Sequence, residues 1–136
     1  VEELELYDVL ALKEVNSKYA LFIISNQPDA ARGRTRQKDL IDIHNAFKEM
    51  LESSGIFFLE YYYCYHDSGC LCRKPSPYFI IKAAEKYNLN LSESYLIGDK
   101  PTDMFCGSVM GMKTFKVYEN INNRTNNLEE ILEMIK

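Results

Sequence analysis

The sequence has no long apolar run. No stretch approaches the ~20 consecutive apolar residues that a membrane-spanning helix requires. The N-terminal stretch VEELELYDVL also lacks the basic region and the apolar core of a signal peptide. We therefore predict a cytoplasmic protein that does not act at a membrane.

Positive charge is scarce as well. The chain has 16 Lys and Arg residues against 20 Asp and Glu residues, which gives a formal net charge of -4. This balance argues against a broad basic surface for nucleic acid or anionic lipid, although it leaves room for local basic pockets. We expect a small molecule as the partner and no nucleic acid.

Internal repeats, low-complexity tracts and long linkers are also absent from the sequence. With 136 residues, 46% hydrophobic and 26% charged, the chain is long enough for one compact core and too short for two ordinary domains. The sequence therefore predicts a single domain over residues 1–136.

Hydrophobic periodicity and turn residues predict helices that alternate with strands. The predicted helices cover residues 9–18, 35–53, 76–87, 101–110 and 128–136, and the predicted strands cover residues 20–25, 57–63, 95–97 and 114–117. Because this alternation is typical of α/β folds, we expect a parallel sheet with helices on both faces. Ligands of such sheets gather beyond the carboxyl ends of the strands, so the loops after residues 25, 63 and 97 should converge there.

Two of these elements carry more detailed predictions. The apolar run ALFIIS is typical of a strand that is buried on both faces. Thr35 is the predicted N-cap of the helix that ends near Ser53. The apolar residues that recur in this helix at helical spacing are Leu40, Ile43, Phe47, Met50 and Leu51.

A cluster of metal-ligand residues follows the second strand. In an extended segment residues i and i+2 point the same way, so Cys64 and His66 form one pair of ligands and Cys70 and Cys72 form another. Folding the pairs together gives three sulfurs and one imidazole, which suit a closed, tetrahedral structural zinc site. The remaining cysteine, Cys106, is expected in the core.

Two alternatives to zinc stay open at this point. The cluster can be a pair of buried thiols with a surface histidine, or Cys70 and Cys72 can form a redox pair. Redox pairs are usually C-x-x-C at a helix start, whereas this C-x-C precedes the loop residues Arg73-Lys74-Pro75.

Polar and basic side chains follow the first two strands. Ser25 and Asn26 offer hydroxyl and amide groups to an anion, and Arg32 comes shortly after them. Directly behind the cysteine cluster, Lys74 can neutralise a phosphoryl oxygen while Arg73 makes forked contacts. The alternatives are an ordinary turn or helix cap at residues 25 and 26 and plain surface charge at residues 73 and 74.

The segment IGDKPTD, residues 97–103, is the strongest phosphate-site motif. A strand ends, Gly98 allows close approach, and two carboxylates four residues apart flank a helix start. Asp99 suits a Mg²⁺ ligand, and Asp103 would orient the site or its neighbouring donors. The alternative is that both aspartates only cap the helix and complement its dipole.

Taken in order, SNQ, ARG, CxH, CxC-RKP and GDKxxD resemble the histidinol-phosphatase and heptose-bisphosphate-phosphatase group of the haloacid dehalogenase (HAD) superfamily, subfamily IIIA. The resemblance spans roughly residues 4–117. It implies a Rossmann-like phosphatase with an aspartyl-phosphate intermediate, catalytic Mg²⁺, and a structural Zn²⁺ loop at residues 64–74 in place of a large cap. The implied substrate is a small phosphorylated metabolite, such as histidinol phosphate or a sugar phosphate.

The resemblance also implies individual roles at the matching positions. Ser25 and Asn26 would bind the transferring phosphoryl group, and Lys74 would stabilise its charge. Asp99 would hold Mg²⁺, supported by Asp103. The implied substrate contacts are Arg32, Arg73 and Lys100.

One motif of this family is missing. The nucleophile and the acid/base residue belong to a D-x-D motif on the first, central strand, and no D-x-D occurs in the sequence, which begins with Val1. We expect the sequence to be a fragment; the alternatives are a strand supplied by another chain and a degenerate homologue with a rearranged sheet. Residues 1–136 alone are predicted to be inactive, because covalent phosphoryl transfer needs a nucleophile.

Two further functional hypotheses follow from that absence. The first is a non-catalytic phosphate-binding or partner-binding module that kept the fold and lost its nucleophile. The second is a zinc-dependent module whose loop after Tyr63 docks a protein.

Overall fold

The computed structural model describes residues 12–26, 31–65, 70–117 and 128–135. The chain divides into two compact units. The first unit comprises Val1–Asp67 with Leu132–Lys136, and the second comprises Ser68–Ile131. The single domain over residues 1–136 remains a prediction.

The first unit contains a parallel strand pair and a long helix. After helical residues 12–16, β1 (Leu21–Asn26) is followed by α1 (Gln37–Ser53) and β2 (Phe58–Cys64). β1 and β2 pair in parallel. Antiparallel pairing can be made by a tight hairpin, whereas parallel pairing needs a crossover, and α1 lies in that crossover.

The second unit repeats this plan. It contains α2 (Tyr78–Tyr87), a 3₁₀ turn (Leu91–Glu93), β3 (Tyr95–Gly98), α3 (Pro101–Val109) and β4 (Lys113–Lys116). β3 and β4 are parallel, and α3 connects them. α3 packs closely on this pair because Gly107 has no side chain: a Cβ there would lie 2.7 Å from Thr114 Cγ2. The last described helix, α4, is Leu128–Ile135.

The parallel pairing confirms the predicted α/β class. The described strands form two pairs, β1 with β2 and β3 with β4. Within the described residues, no helix is both long and apolar enough to cross a bilayer.

The predicted N-cap Thr35 is wrong. α1 begins at Gln37, and its N-cap is Arg36, whose backbone is extended and whose side chain makes no cap hydrogen bond. Thr35 therefore lies one residue too early to cap the helix. Arg36 instead forms an ion pair with Asp39 in the first turn.

The predicted apolar face of α1 is only partly right. Leu51 is buried, and Leu40 and Phe47 are half-buried, but the side chains of Ile43 and Met50 are 46% and 44% exposed. The inward line runs through residues 40, 44, 47 and 51, at spacings of three and four. Apolar residues next to this line lie on the flanks of the helix.

The strand β1 is half-buried along its whole length, not fully buried as its composition predicted. Among the described strands β1 has one neighbour, β2. A strand becomes buried on both faces when it lies between neighbours in a covered sheet, so a sequence run alone does not guarantee that burial.

Candidate active site

The ends of β1 and β2 lie side by side in the first unit. Because the pair is parallel and its register is regular from Phe22 onward, Ser25 lies opposite Tyr63, and Asn26 lies opposite Cys64. The predicted phosphoryl-binding residues therefore adjoin the strand end from which the cysteine cluster begins. Arg32 lies beyond β1 in an exposed turn.

In the second unit, Lys74 and Asp103 form a buried ion pair. Lys74 Nζ donates to Asp103 Oδ1 at 2.5 Å, and the two side chains are only 15% and 6% exposed. Lys74 lies in the loop before α2, whereas Asp103 lies in the first turn of α3. The pair therefore joins the two loops that carry the RKP and GDKxxD motifs.

The second carboxylate oxygen of Asp103 holds the loop that follows β3. Asp103 Oδ2 accepts hydrogen bonds from the backbone N–H groups of Asp99 at 3.2 Å and Lys100 at 3.1 Å. The side chains of Asp99 and Lys100 remain exposed. The loop is thus fixed through its backbone, and its carboxylate and ammonium groups are left facing solvent.

Gly98 makes this arrangement possible. A Cβ atom at position 98 would lie 2.5 Å from Asp103 Cβ and 2.6 Å from Asp103 Oδ2. Any side chain there would displace the Asp103 carboxylate. The close approach that was predicted for this glycine is therefore made by a side chain of the protein itself.

These contacts indicate that Asp103 positions its neighbours. Both of its carboxylate oxygens are engaged by groups of the chain, and a buried charge requires such partners. Asp99 carries the more accessible carboxylate and can offer it to a divalent cation. The described residues of the loop thus offer one accessible carboxylate, and a Mg²⁺ ion held there would complete its octahedron with water and phosphate oxygens.

The described cysteines of the metal loop are compatible with zinc. None of Cys64, Cys70 and Cys72 is in a disulfide, and the sulfurs of Cys70 and Cys72 lie 3.5 Å apart. Two thiolates on one tetrahedral zinc, each at about 2.3 Å, lie about 3.8 Å apart. Cys64 is fully buried at the end of β2. The fourth predicted ligand, His66, lies outside the described residues.

Cys106 is buried, as the sequence predicted, and it lies close to the ion pair. Burial raises the pKa of its thiol; the positive charge of Lys74 opposes this shift, and the negative charge of Asp103 adds to it. The thiol is therefore protonated and can donate a hydrogen bond. Its acceptor is the carbonyl oxygen of Ser76, at 3.6 Å.

Two further groups of residues escaped the sequence analysis. Ser76 was interpreted only as a helix start, yet α2 begins at Tyr78 with Pro77 as its N-cap. In the first unit, His44 Nδ1 lies 3.0 Å from the hydroxyl of Tyr63, and burial lowers the pKa of the imidazole. A histidine among the inward-facing positions of α1 was the feature of the sequence that could have indicated this contact.

Comparison with known proteins defines the class. Residues 71–133 match the family described as HAD-hydrolase-like. A crystal structure of D,D-heptose 1,7-bisphosphate phosphatase from B. bronchiseptica, complexed with magnesium and phosphate, superposes with a TM-score of 0.80. It is 22% identical and covers 93% of this chain and 80% of that one. This likeness shows a HAD-like fold.

Curated relatives narrow the class to a group. A D-glycero-beta-D-manno-heptose-1,7-bisphosphate 7-phosphatase of Helicobacter pylori is 37% identical over 65% of this chain and 53% of that protein. The corresponding alpha-heptose phosphatase of Campylobacter jejuni is 31% identical over 87% of this chain and 72% of that protein. The chain belongs to the HAD superfamily, in the group that contains these heptose-bisphosphate phosphatases. The chain spans 53% of the length of the Helicobacter pylori relative and 72% of the length of the Campylobacter jejuni relative.

Proposed function

We propose that the protein containing this chain hydrolyses a phosphomonoester of a small sugar phosphate with Mg²⁺. The observation that carries the proposal is the buried contact between Lys74 and Asp103, which fixes a cation beside the backbone of the Asp99 loop. Heptose 1,7-bisphosphate is the first candidate substrate because relatives of both anomeric types carry that name. Histidinol phosphate is the second candidate.

Lys74 is the proposed charge-stabilising group. Phosphoryl transfer is catalysed largely by positioning and by positive charge near the phosphoryl oxygens. Asp103 holds the Lys74 ammonium in place. From their match to the family motif, we propose that the Ser25 hydroxyl and the Asn26 amide bind the phosphoryl group. We propose Arg32, Arg73 and Lys100 as contacts to the remainder of the substrate.

Asp99 is the proposed Mg²⁺ ligand. The divalent ion, when bound, neutralises charge on the phosphoryl oxygens and orients them. Support comes from the exposure of Asp99 and from the engagement of both Asp103 oxygens within the chain. Asp103 is accordingly assigned to positioning and Asp99 to metal binding.

The nucleophile of the proposed reaction is an aspartate of a D-x-D strand that would precede this sequence. Its carboxylate would attack phosphorus while the acid/base aspartate of the same motif protonates the leaving sugar oxygen, and that aspartate would then take a proton from the water that hydrolyses the aspartyl-phosphate. No D-x-D occurs in the 136 residues. The rival function, a non-catalytic phosphate-binding module, applies if no such strand exists.

Phosphate release by the full-length protein tests the proposal. With Mg²⁺ and heptose 1,7-bisphosphate we expect release of one phosphate, and an Asp99→Asn variant should lose activity that higher Mg²⁺ partly restores. The matched control is Asp42→Asn, on the exposed face of α1. A full-length protein with an intact D-x-D strand that hydrolyses no phosphomonoester would contradict the proposal.

We also propose that Cys64, His66, Cys70 and Cys72 hold one structural Zn²⁺. The short distance between the Cys70 and Cys72 sulfurs and their place within one loop support this set. Elemental analysis of reduced protein should give one zinc per chain, and Cys72→Ser should lower that ratio while Ser94→Ala, outside the loop, leaves it unchanged. Protein without zinc, prepared without chelators, would refute the site.

A further inference from the structure

Ser76 uses all three of its polar groups to close one turn. Its backbone N–H donates to the carbonyl of Arg73 at 2.9 Å, and its hydroxyl donates to the carbonyl of Leu71 at 2.5 Å. Its own carbonyl accepts the hydrogen bond from the Cys106 thiol. One residue therefore ties the start of the loop, the middle of the loop and helix α3 together.

The segment closed by these bonds contains Cys72, Arg73 and Lys74. Two of the bonds form within the loop and set its internal shape, whereas the third fastens it to α3. Cys106 lies three residues after Asp103, so both project from one face of the helix. Helix α3 therefore holds the loop at two points, through Asp103 on Lys74 and through Cys106 on Ser76.

The geometry points to Ser76 and Cys106 as positioning residues: together they set where the Lys74 ammonium and the Cys72 thiol lie relative to Asp103. This inference rests on the proposed function of Lys74. A lysine side chain has a flexible four-carbon stem, so the bond to Asp103 fixes the ammonium without by itself removing the conformational freedom of the backbone that carries it. The Ser76 bonds remove that freedom.

A helix-capping role for Ser76 does not explain these contacts. The N-cap of α2 is Pro77, and no side chain makes a cap hydrogen bond there. The Ser76 hydroxyl points back toward Leu71, away from the first turn of α2. Cys106 is 1% exposed, so water has little access to the bond between its thiol and the Ser76 carbonyl.

Kinetics of Ser76 variants in the full-length protein test the inference. Ser76→Ala removes the bond to Leu71, and we expect kcat for heptose 1,7-bisphosphate to fall about tenfold with KM changed less than about twofold, within the roughly hundredfold loss that a ~1 Å misplacement can cause. Ser76→Thr keeps the hydroxyl and should restore most of kcat. The matched control is Ser94→Ala, which removes a similar exposed hydroxyl-to-carbonyl bond, to Asn90 at 2.7 Å.

A second pair of variants tests the hydrogen bond between the Cys106 thiol on α3 and the Ser76 carbonyl. Cys106→Ala removes the donor and should lower kcat, whereas Cys106→Ser keeps a donor and should lower it less. Hydrogen exchange of the Ser76 amide should accelerate in Ser76→Ala and Cys106→Ala and not in Ser94→Ala. This measurement does not depend on activity.

The outcomes separate this inference from the proposed function. An active wild-type enzyme whose Ser76→Ala and Cys106→Ala variants keep wild-type kcat overturns the positioning role. Equal losses in Ser76→Ala and Ser76→Thr overturn it as well, because the hydroxyl is then irrelevant. A full-length wild type that is inactive with every phosphomonoester overturns the proposed function instead.

Discussion

Two ion pairs among the described residues differ in their geometry and in their surroundings. Arg36 and Asp39 form a forked pair on the first turn of α1, with nitrogen–oxygen distances of 3.1 and 3.2 Å and side chains 78% and 41% exposed. Lys74 and Asp103 form a single contact with side chains 15% and 6% exposed. The first pair is local in sequence, whereas the second joins residues 29 positions apart.

The difference in exposure decides how strongly each ion pair constrains the positions of its two side chains. An exposed pair is screened by water and contributes little to stability, however good its geometry. A buried pair gains little net stability when formed, but it becomes costly when one partner is removed, because the other charge remains buried. The second arrangement fixes the position of the Lys74 ammonium, which suits the role proposed for it beside a phosphoryl group.

Removing the Asp103 charge should have the largest effect. Asp103→Asn leaves the Lys74 ammonium buried without its counter-charge, so we expect the free energy of unfolding to fall by about 3–5 kcal/mol and activity to be lost. Urea unfolding and phosphate release measure the two effects. If the variant is as stable as the wild type, the buried pair does not constrain the loop.

Removing Lys74 should cost less stability than removing Asp103. In Lys74→Met the Asp103 carboxylate keeps the two backbone N–H donors of Asp99 and Lys100, so a loss of about 1–3 kcal/mol is expected together with loss of activity. Urea unfolding of both single variants gives the comparison. A larger loss for Lys74→Met than for Asp103→Asn would show that the backbone bonds do not compensate the carboxylate.

A methyl group at position 98 should break the buried pair by steric displacement. Gly98→Ala is expected to destabilise the protein by about 2–3 kcal/mol, the upper part of the range for overpacking, and to lower activity. The comparison variant is Gly33→Ala. Position 33 has a φ of 73° and no atom within 4 Å of the added Cβ, so its cost comes from backbone strain alone, about 1–2 kcal/mol. Activity unaffected by Gly98→Ala would argue against the close approach of Asp103.

The uncharged pair of His44 and Tyr63 should show a smaller, pH-dependent effect. Burial and the charge of Lys48 lower the pKa of His44, so the folded state resists protonation that the unfolded state accepts. The contribution of His44 to the free energy of unfolding is therefore fully present above the pKa of the imidazole in the unfolded chain, about 6.5. It is lost as the pH falls through the lower pKa of His44 in the folded protein. The groups that face His44 are Lys48 on α1 and Tyr61 and Tyr63 on β2.

Urea midpoints at pH 8 and pH 5.5 measure this dependence. The difference between the two midpoints should shrink in His44→Gln. It should shrink slightly in Lys48→Gln, because that variant removes the positive charge that opposes protonation of His44. An unchanged difference in His44→Gln would assign the acid loss to another group.

Breaking the exposed pair should have the smallest effect. Arg36→Ala is expected to leave the thermal midpoint and the activity unchanged, because solvent screens the Arg36 and Asp39 charges. Differential scanning calorimetry beside Lys74→Met checks this. A loss as large as that of Lys74→Met would remove the distinction between the two pairs.

The element boundaries could be predicted from the sequence because they depend on local periodicity and turn residues. β3 extends one residue beyond the prediction, to Gly98, and α3 ends at Val109, one residue before the predicted end. The local sequence pattern failed to predict burial where the packing of neighbouring elements decides which side chains face inward. Ile43 is apolar and correctly spaced, yet it lies on the flank of α1 because the line through His44 faces inward.

The sequence likewise predicted some features of the candidate site and missed others. The motifs marked Lys74, Asp99 and Asp103 as a phosphate-handling set, since residue type and order carry that information. They did not reveal that Asp103 binds Lys74, because the partners are 29 residues apart. Ser76 was missed for the opposite reason: its contacts are local, but a serine before a proline fits a helix start equally well.

The absence of a Cβ atom at Gly98 also limits which substitutions can be engineered at this site. Positions 98 and 103 share one small volume, so a larger residue at the first is compatible only with a shorter one at the second. A larger residue at position 98 would therefore require a change at position 103 as well, and a library that randomises either position alone is expected to consist mostly of proteins that cannot hold Lys74. Variation aimed at substrate choice is better placed at Lys100, whose side chain is exposed.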